Sequence, residues 1–135
     1  VKPHPQIPAF GNLDFRGYCP TEQVEQVTFF NRLRAQHPKT YGLIAIHPRN
    51  EGKRTHGQVR WQKAEGMVKG ASDINIPGAP TFVCELKRKD RTKSTWQKGQ
   101  LEYLLAAQEA GAFACLAFGA DAAWEAFEEW LSLHK

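Results

Sequence analysis

The sequence predicts an α/β fold, a mixed central sheet flanked by helices, and three observations carry that prediction. Residues 112–118 (AFACLAF) are almost wholly apolar, as expected of a central strand covered on both faces. Residues 81–84 (TFVC) form a second short β-prone run, bounded on its N-terminal side by Pro77-Gly78-Ala79-Pro80. A helical stretch separates the two runs, which makes the strands parallel and the crossover right-handed.

Taken in order, residues 1–20 hold four Pro and two Gly without periodicity and read as an irregular N-terminal arm. Phe10, Leu13, Phe15 and Tyr18 are its anchors, on its own domain or in a dimer interface. Thr21 is a good N-cap for a helix running to about His37, where Pro38 stops it. Val24, Val27, Phe30 and Leu33 or Arg34 fall on one stripe of that helix, widened by Phe29. Residues 41–47 (YGLIAIH) read as the first strand, residues 48–56 as a polar basic loop, and residues 57–65 as weakly helical, ended by Gly66. Residues 73–76 (DINI) are a short extended segment that a turn through Pro77-Gly78 folds onto the strand at 81–87. Ser94-x-x-Gln97 has the form of a capping box, opening a helix to about Ala110 that closes at Gly111, with Leu101, Leu104, Leu105 and Gln108 inward. Asp121 caps a last amphipathic helix with Trp124, Phe127 and Leu131 inward and Glu125, Glu128 and Glu129 outward.

At 135 residues the chain is one ordinary domain, a unit over residues 21–135 preceded by the arm. No apolar run reaches membrane-spanning length, so no membrane partner is expected. Cys19, Cys84 and Cys115 are odd in number and lack C-x-x-C spacing, which predicts a reduced, cytoplasmic protein without structural zinc, and Cys84 and Cys115 sit in apolar strand-like runs that predict buried thiols. The net charge of +4 conceals an asymmetry, because residues 49–98 carry twelve Lys and Arg against five acids. A positive surface of that kind suits a polyanion, although basic loops are often merely solvated.

Within the basic segment, Glu85 and Lys87 stand at i and i+2 of a strand and share a face. Such a pair alone is commonly a solvated ion pair. The hairpin, however, brings Asp73 beside Glu85, and two carboxylates with one ammonium make a site for a hard cation. Magnesium suits it, since that ion keeps several waters while one or two carboxylates hold it. Glu22, which shares a helical face with Gln26, is a candidate for a further carboxylate near the site, and Glu25 competes with it. The bland reading of Glu22 is an acid favoured in a first helical turn. Gln97 and Gln100 both lie near the start of the helix that follows Lys87.

Lys69-Gly-Ala-Ser-Asp73, Glu85-Leu-Lys87 and Gln100-x-x-x-Leu104 with Gly111 together resemble, in order and spacing, the virus-type replication-repair nuclease (VRR-NUC) domain of the PD-(D/E)XK nuclease superfamily. The resemblance covers residues 21–118; the superfamily's Pro-Asp is here Ser72-Asp73, and the spacing to Gly111 favours Gln100 over Gln97. It implies a restriction-endonuclease-like sandwich and metal-dependent hydrolysis of DNA. Carried over, Asp73, Glu85, Lys87, Glu22 and Gln100 are the catalytic set. Asp73, Glu85 and the Leu86 carbonyl would hold Mg²⁺ or Mn²⁺, with Glu22 as an outer carboxylate. Lys69, Arg88, Lys89, Arg91, Lys93, Lys53 and Arg54 are the expected nucleic-acid contacts. Small stand-alone members resemble homodimeric Holliday-junction resolvases, whereas members in longer chains resemble flap or 5′-end processors. The expectation is a bacterial or phage-encoded repair endonuclease for branched DNA, a homodimer cutting four-way junctions. The rival from another class is a non-catalytic nucleic-acid binding module that keeps only the fold and the basic face.

Overall fold

The computed structural model describes residues 1–48 and 55–133. Four strands form one mixed sheet in the order β1 (Ala9–Phe10), β4 (Phe113–Phe118), β3 (Phe82–Lys87), β2 (Ile74–Ile76). Strands β3 and β4 are parallel and β2 is antiparallel to β3, as their sequences predict. On β3, alternation sends Phe82, Cys84 and Leu86 into a core shared with α1 (Glu22–Gln36) and α5 (Ala120–Ser132). Val83 packs instead in a smaller core against α4 (Gln100–Glu109), with Leu104, Ala114 and Leu116. The period of two therefore places Glu85 and Lys87 on the α4 face of the sheet.

Thr21 caps α1 as expected, its hydroxyl accepting the Val24 amide. The buried stripe is rotated, however: Phe29, Phe30 and Leu33 are inside, Val24 and Val27 are exposed, and Glu25 is buried. The cause is local, since the Glu25 carboxylate accepts the Ala120 amide at the start of α5. That bond takes the capping role expected of Asp121, which stays exposed in the first turn behind the N-cap Gly119. The last helix also buries Trp130, whose indole N–H donates to the Pro80 carbonyl at 2.7 Å and pins the β2–β3 turn.

Residues 41–47 are not a strand. They form α2 (Tyr41–Ile44), with only Ile46 bridging to Asn75. Gly42 turns the corner, its amide bonding to the His37 carbonyl so closely that a β-carbon would lie 2.6 Å from that oxygen. Tyr41 then stacks edge-on against Phe127 and Trp130. The helix α3 (His56–Ala64) follows, and Gly66 ends it as expected.

The second helical start is also displaced. Ser94 is buried and its hydroxyl accepts the Arg88 amide at 3.1 Å, so it caps nothing, and α4 begins only after Gly99. At Gly99 and Gly70 two backbones cross. A β-carbon on Gly70 would stand 2.3 Å from the Gly99 carbonyl carbon, and both residues have positive φ. This crossing fastens the segment leading to Asp73 onto the start of the helix that carries Gln100.

Residues 1–20 lie along their own domain. β1 adds in parallel to β4, Ile7 is buried, and the Val1 ammonium bonds to the Arg91 and Ser94 carbonyls. Tyr18 remains 97% exposed. All three cysteines are buried free thiols, Cys84 and Cys115 lying side by side across β3 and β4. Among the described residues, no helix is long and apolar enough to cross a membrane.

Candidate active site

The ends of β2 and β3, the first turn of α1 and the start of α4 enclose a cleft of about 660 Å³. Asp73, Glu85, Lys87, Glu22 and Gln100 all line it, together with Gln23, Gln26, Val27, His47 and Gln97. The five residues predicted to act together are therefore brought together.

Asp73 sits just before β2, where its Oδ2 accepts the Leu86 amide at 2.9 Å. That bond sets the Asp73 carboxyl beside Glu85, close enough for each to influence the other's protonation. Glu85 is 1% exposed, and its Oε2 has no hydrogen-bond partner. Burial, then the Asp73 charge, pushes the Glu85 carboxyl well above its ordinary range. Burial also raises Asp73 and Glu22, with Lys87 opposing in both cases.

Lys87 is equally buried, so it is not half of the solvated ion pair that its spacing from Glu85 commonly makes. Its Nζ donates to the Thr95 carbonyl and to Gln100 Oε1, each at 2.8 Å. It also lies 3.5 Å from Glu22 Oε1 and 3.7 Å from Glu85 Oε1. Gln100 Oε1 additionally accepts the Gln97 amide at 2.8 Å, which fixes its amide oxygen towards the ammonium. The Gln97 side chain turns to Thr95 instead. Of the two glutamines, Gln100 is the one whose side chain holds Lys87. Glu22 and Glu25 are separated just as clearly, one facing Lys87 and the other capping α5.

Among the described residues, no group of three or more His, Cys, Asp or Glu side chains is arranged to hold a metal ion. The protein offers two carboxylates in contact, one with an unpartnered buried oxygen. That donor set fits a hard divalent cation which keeps most of its waters, and it does not fit a closed zinc site. Two carboxylates about 4 Å apart repel by about 4 kcal/mol at an effective dielectric of 20, so a proton or a cation between them relieves a real cost.

His47 is the residue the sequence reading missed. Its Nδ1 donates to the Asp73 carbonyl at 2.9 Å, beside the Ile46–Asn75 bridge. Read as the end of a strand it had no reason to meet Asp73; the only signal was its place directly before Pro48 and a basic loop.

The expected nucleic-acid contacts divide. Lys69 is exposed beside the Gly70–Gly99 crossing. Arg88 instead bonds to the Cys19 and Pro20 carbonyls, Arg91 to the Leu13 and Val1 carbonyls, and Lys93 to the Gly17 carbonyl. These three cations tie the N-terminal arm down. Asp90 lies among them, accepting the Gly17 amide, and bonds from Thr92 and Gly17 hold its carboxyl down to about 2. Lys89 is half-buried against Gly119 and beside Glu25, away from the cleft. Lys53 and Arg54 lie outside the described residues.

A mixed sheet flanked by helices, with an Asp-Glu-Lys cluster at the end of its β2–β3 hairpin, defines an α/β protein of nuclease-like fold. More particularly, the fold is that of the VRR-NUC domain. A solved structure of a VRR_NUC domain protein superposes with a TM-score of 0.68, covering 86% of this chain and 92% of that one at 20% identity. No family model matches the sequence, and no curated protein matches it.

Proposed function

We propose that this chain is a nuclease that hydrolyses phosphodiester bonds in DNA with Mg²⁺ or Mn²⁺ as its cofactor. The observation that carries the reading is the buried Asp73–Glu85 pair, with its unpartnered Glu85 oxygen, set beside Lys87 in an open cleft. Asp73, Glu85 and the Leu86 carbonyl would hold the cation, and Glu22 would act through water. When bound, such an ion polarises the phosphate and lowers the pKa of a bound water. The chain's own part is preorganisation. Thr95 and Gln100 hold the Lys87 ammonium in place, where it stabilises negative charge developing on the phosphate. Leu86 and His47 hold Asp73 from two sides, one at its carboxylate and one at its carbonyl. A pure binding module gains nothing from carboxylates buried beneath a phosphate site, which weighs against the non-catalytic rival.

The substrate we favour is branched DNA, cut by a homodimer at two symmetric points of a four-way junction, because a two-fold pair of sites matches two equivalent strands. The packing of β1 onto its own sheet favours a second reading, a monomeric flap or 5′-end nuclease. One set of experiments separates them. Purified protein with Mg²⁺ or Mn²⁺ is given labelled four-way, flap, duplex and single-stranded DNA, and sedimentation is run with and without residues 1–18. Paired symmetric cuts by a dimer support the resolvase. A monomer in both forms that cuts flaps supports the second reading. No cleavage of any substrate with either ion would refute the nuclease.

A further inference from the structure

We propose that α3 is a contact surface for unpaired nucleic-acid bases, with Trp61 as the stacking platform; the proposal rests on the nuclease reading only in supposing that the bound strand enters the same cleft. The first observation is where α3 is mounted. The described stems on either side of α3 meet at the sheet, where Ile46 and Asn75 exchange two backbone bonds of 2.8 and 2.9 Å, and the returning stem is also fastened at the Gly70–Gly99 crossing. His47 and Asp73, hydrogen-bonded to each other, are the adjoining residues of the two stems, and both line the cleft. The helix is thus rooted on the rim of the site.

The second observation is that, among the described residues, α3 stands clear of the body. None of its residues is buried, and among the described residues no other element packs extensively against it. It forms through its own capping box, Thr55 and Gln58 exchanging bonds of 2.9 and 3.1 Å. Among the described residues, the hollows flanking Trp61 are lined by Gly57 and Arg60 on one side and by Gln58, Gln62 and Glu65 on the other.

The third is chemical. Trp61 is 71% exposed, and Gly57, one turn before it, leaves the space beside the ring open. Arg60, Lys63 and the exposed Lys69 on the returning stem outweigh the single acid Glu65. An exposed indole among cations, with no apolar wall against it among the described residues, combines the two elements that grip single strands: base stacking and backbone charge. Bases inside a duplex already stack on both faces. The partner is therefore a strand with exposed base faces, as at a flap, an open junction or a single-stranded end.

The test uses the full chain in EDTA, so that binding is read without cleavage. The probes are a labelled oligo-dT of about 15 nucleotides, within the usual span of such sites, and a blunt duplex of the same length. Trp61→Ala should weaken oligo-dT binding by about tenfold or more, Trp61→Phe should recover most of the loss, and duplex binding should change by less than about threefold. Wild-type affinity for oligo-dT in Trp61→Ala, an equal loss on duplex, or no oligo-dT binding by the wild type would overturn the proposal. Conversion of a dimer to a monomer by Trp61→Ala, with oligo-dT affinity per protomer unchanged, would overturn it in favour of a second copy covering α3. Trp61-dependent binding by a protein that cuts nothing with Mg²⁺ or Mn²⁺ leaves this proposal standing and removes the nuclease. Cleavage that survives with unaltered oligo-dT binding in Trp61→Ala does the reverse.

Discussion

Glu85→Gln should make the protein more stable and abolish its activity. Lys87 lies 3.7 Å from Glu85, an attraction of about 4 kcal/mol at an effective dielectric of 20. The Asp73 carboxylate, in contact on the other side, repels by a similar amount, so the two nearly cancel. What remains is the cost of burying a carboxylate whose Oε2 meets no donor. Glutamine has the same shape, carries no charge, and brings an N–H for Asp73. The expected gain at pH 8 without divalent ions is about 1–3 kcal/mol, read as a rise in Tm of roughly 3–10 °C. The pH dependence has a definite sign. Both Glu85 and Asp73 titrate above their ordinary values, so the folded protein holds more protons than the unfolded chain. The contribution of this pair to stability is fully present below about pH 4 and is lost as pH rises through the raised values. A divalent cation replaces the proton, so its stabilising effect should grow over the same range. At a concentration ten times its Kd it contributes about 1.4 kcal/mol, a shift of roughly 4–6 °C. Differential scanning fluorimetry of wild type and Glu85→Gln, from pH 5 to 9 with and without Mg²⁺, reads all of this. An unchanged Mg²⁺ shift in Glu85→Gln, or a variant less stable than wild type at pH 8, would refute the reasoning.

Two further predictions follow from the same geometry. Lys87→Ala should lower the cleavage rate at saturating DNA by about 100-fold or more while calorimetric affinity for divalent ions stays within a few-fold. Arg88→Ala should cost about 1 kcal/mol in urea unfolding by freeing the Cys19 and Pro20 carbonyls, with little loss of rate. Equal rate losses at both positions would remove any special role for Lys87. Glu25→Ala should lower stability by about 1 kcal/mol through the lost cap on α5, leaving the rate unchanged. Glu22→Ala should do the opposite, lowering the rate at nearly unchanged stability, and a reversal of that pattern would exchange their roles.

The parts of this fold legible in the sequence are those specified by contiguous residues. Strand β4 is an unbroken apolar run, β3 is a short apolar β-prone run behind Pro80, and Pro77 and Gly78 announce the turn that brings Asp73 to Glu85, so sheet order around the cluster needs little long-range information. The illegible parts depend on partners distant in the chain. Residues 41–47 look like a strand until Gly42 is seen against the His37 carbonyl and Tyr41 against Phe127 and Trp130. Gly99 looks like a loop residue until Gly70 crosses it. A sequence also counts cations without showing what they face: Arg88, Arg91 and Lys93 read as a phosphate-binding run, yet all three donate to carbonyls of the N-terminal arm. The same limit hid the burial of Lys87, because a charged residue at a strand end suggests solvent. That burial is itself informative. Replacing a buried ion pair by apolar side chains is often neutral or stabilising, so a lysine enclosed with carboxylates that include an unpartnered oxygen is poorly explained by stability alone. Its neighbours are arranged around its position rather than around neutralising the cluster: Thr95 and Gln100 fix the ammonium while Glu85 Oε2 is left without a donor. An arrangement of that kind is what a site requires when its missing partner arrives from solvent.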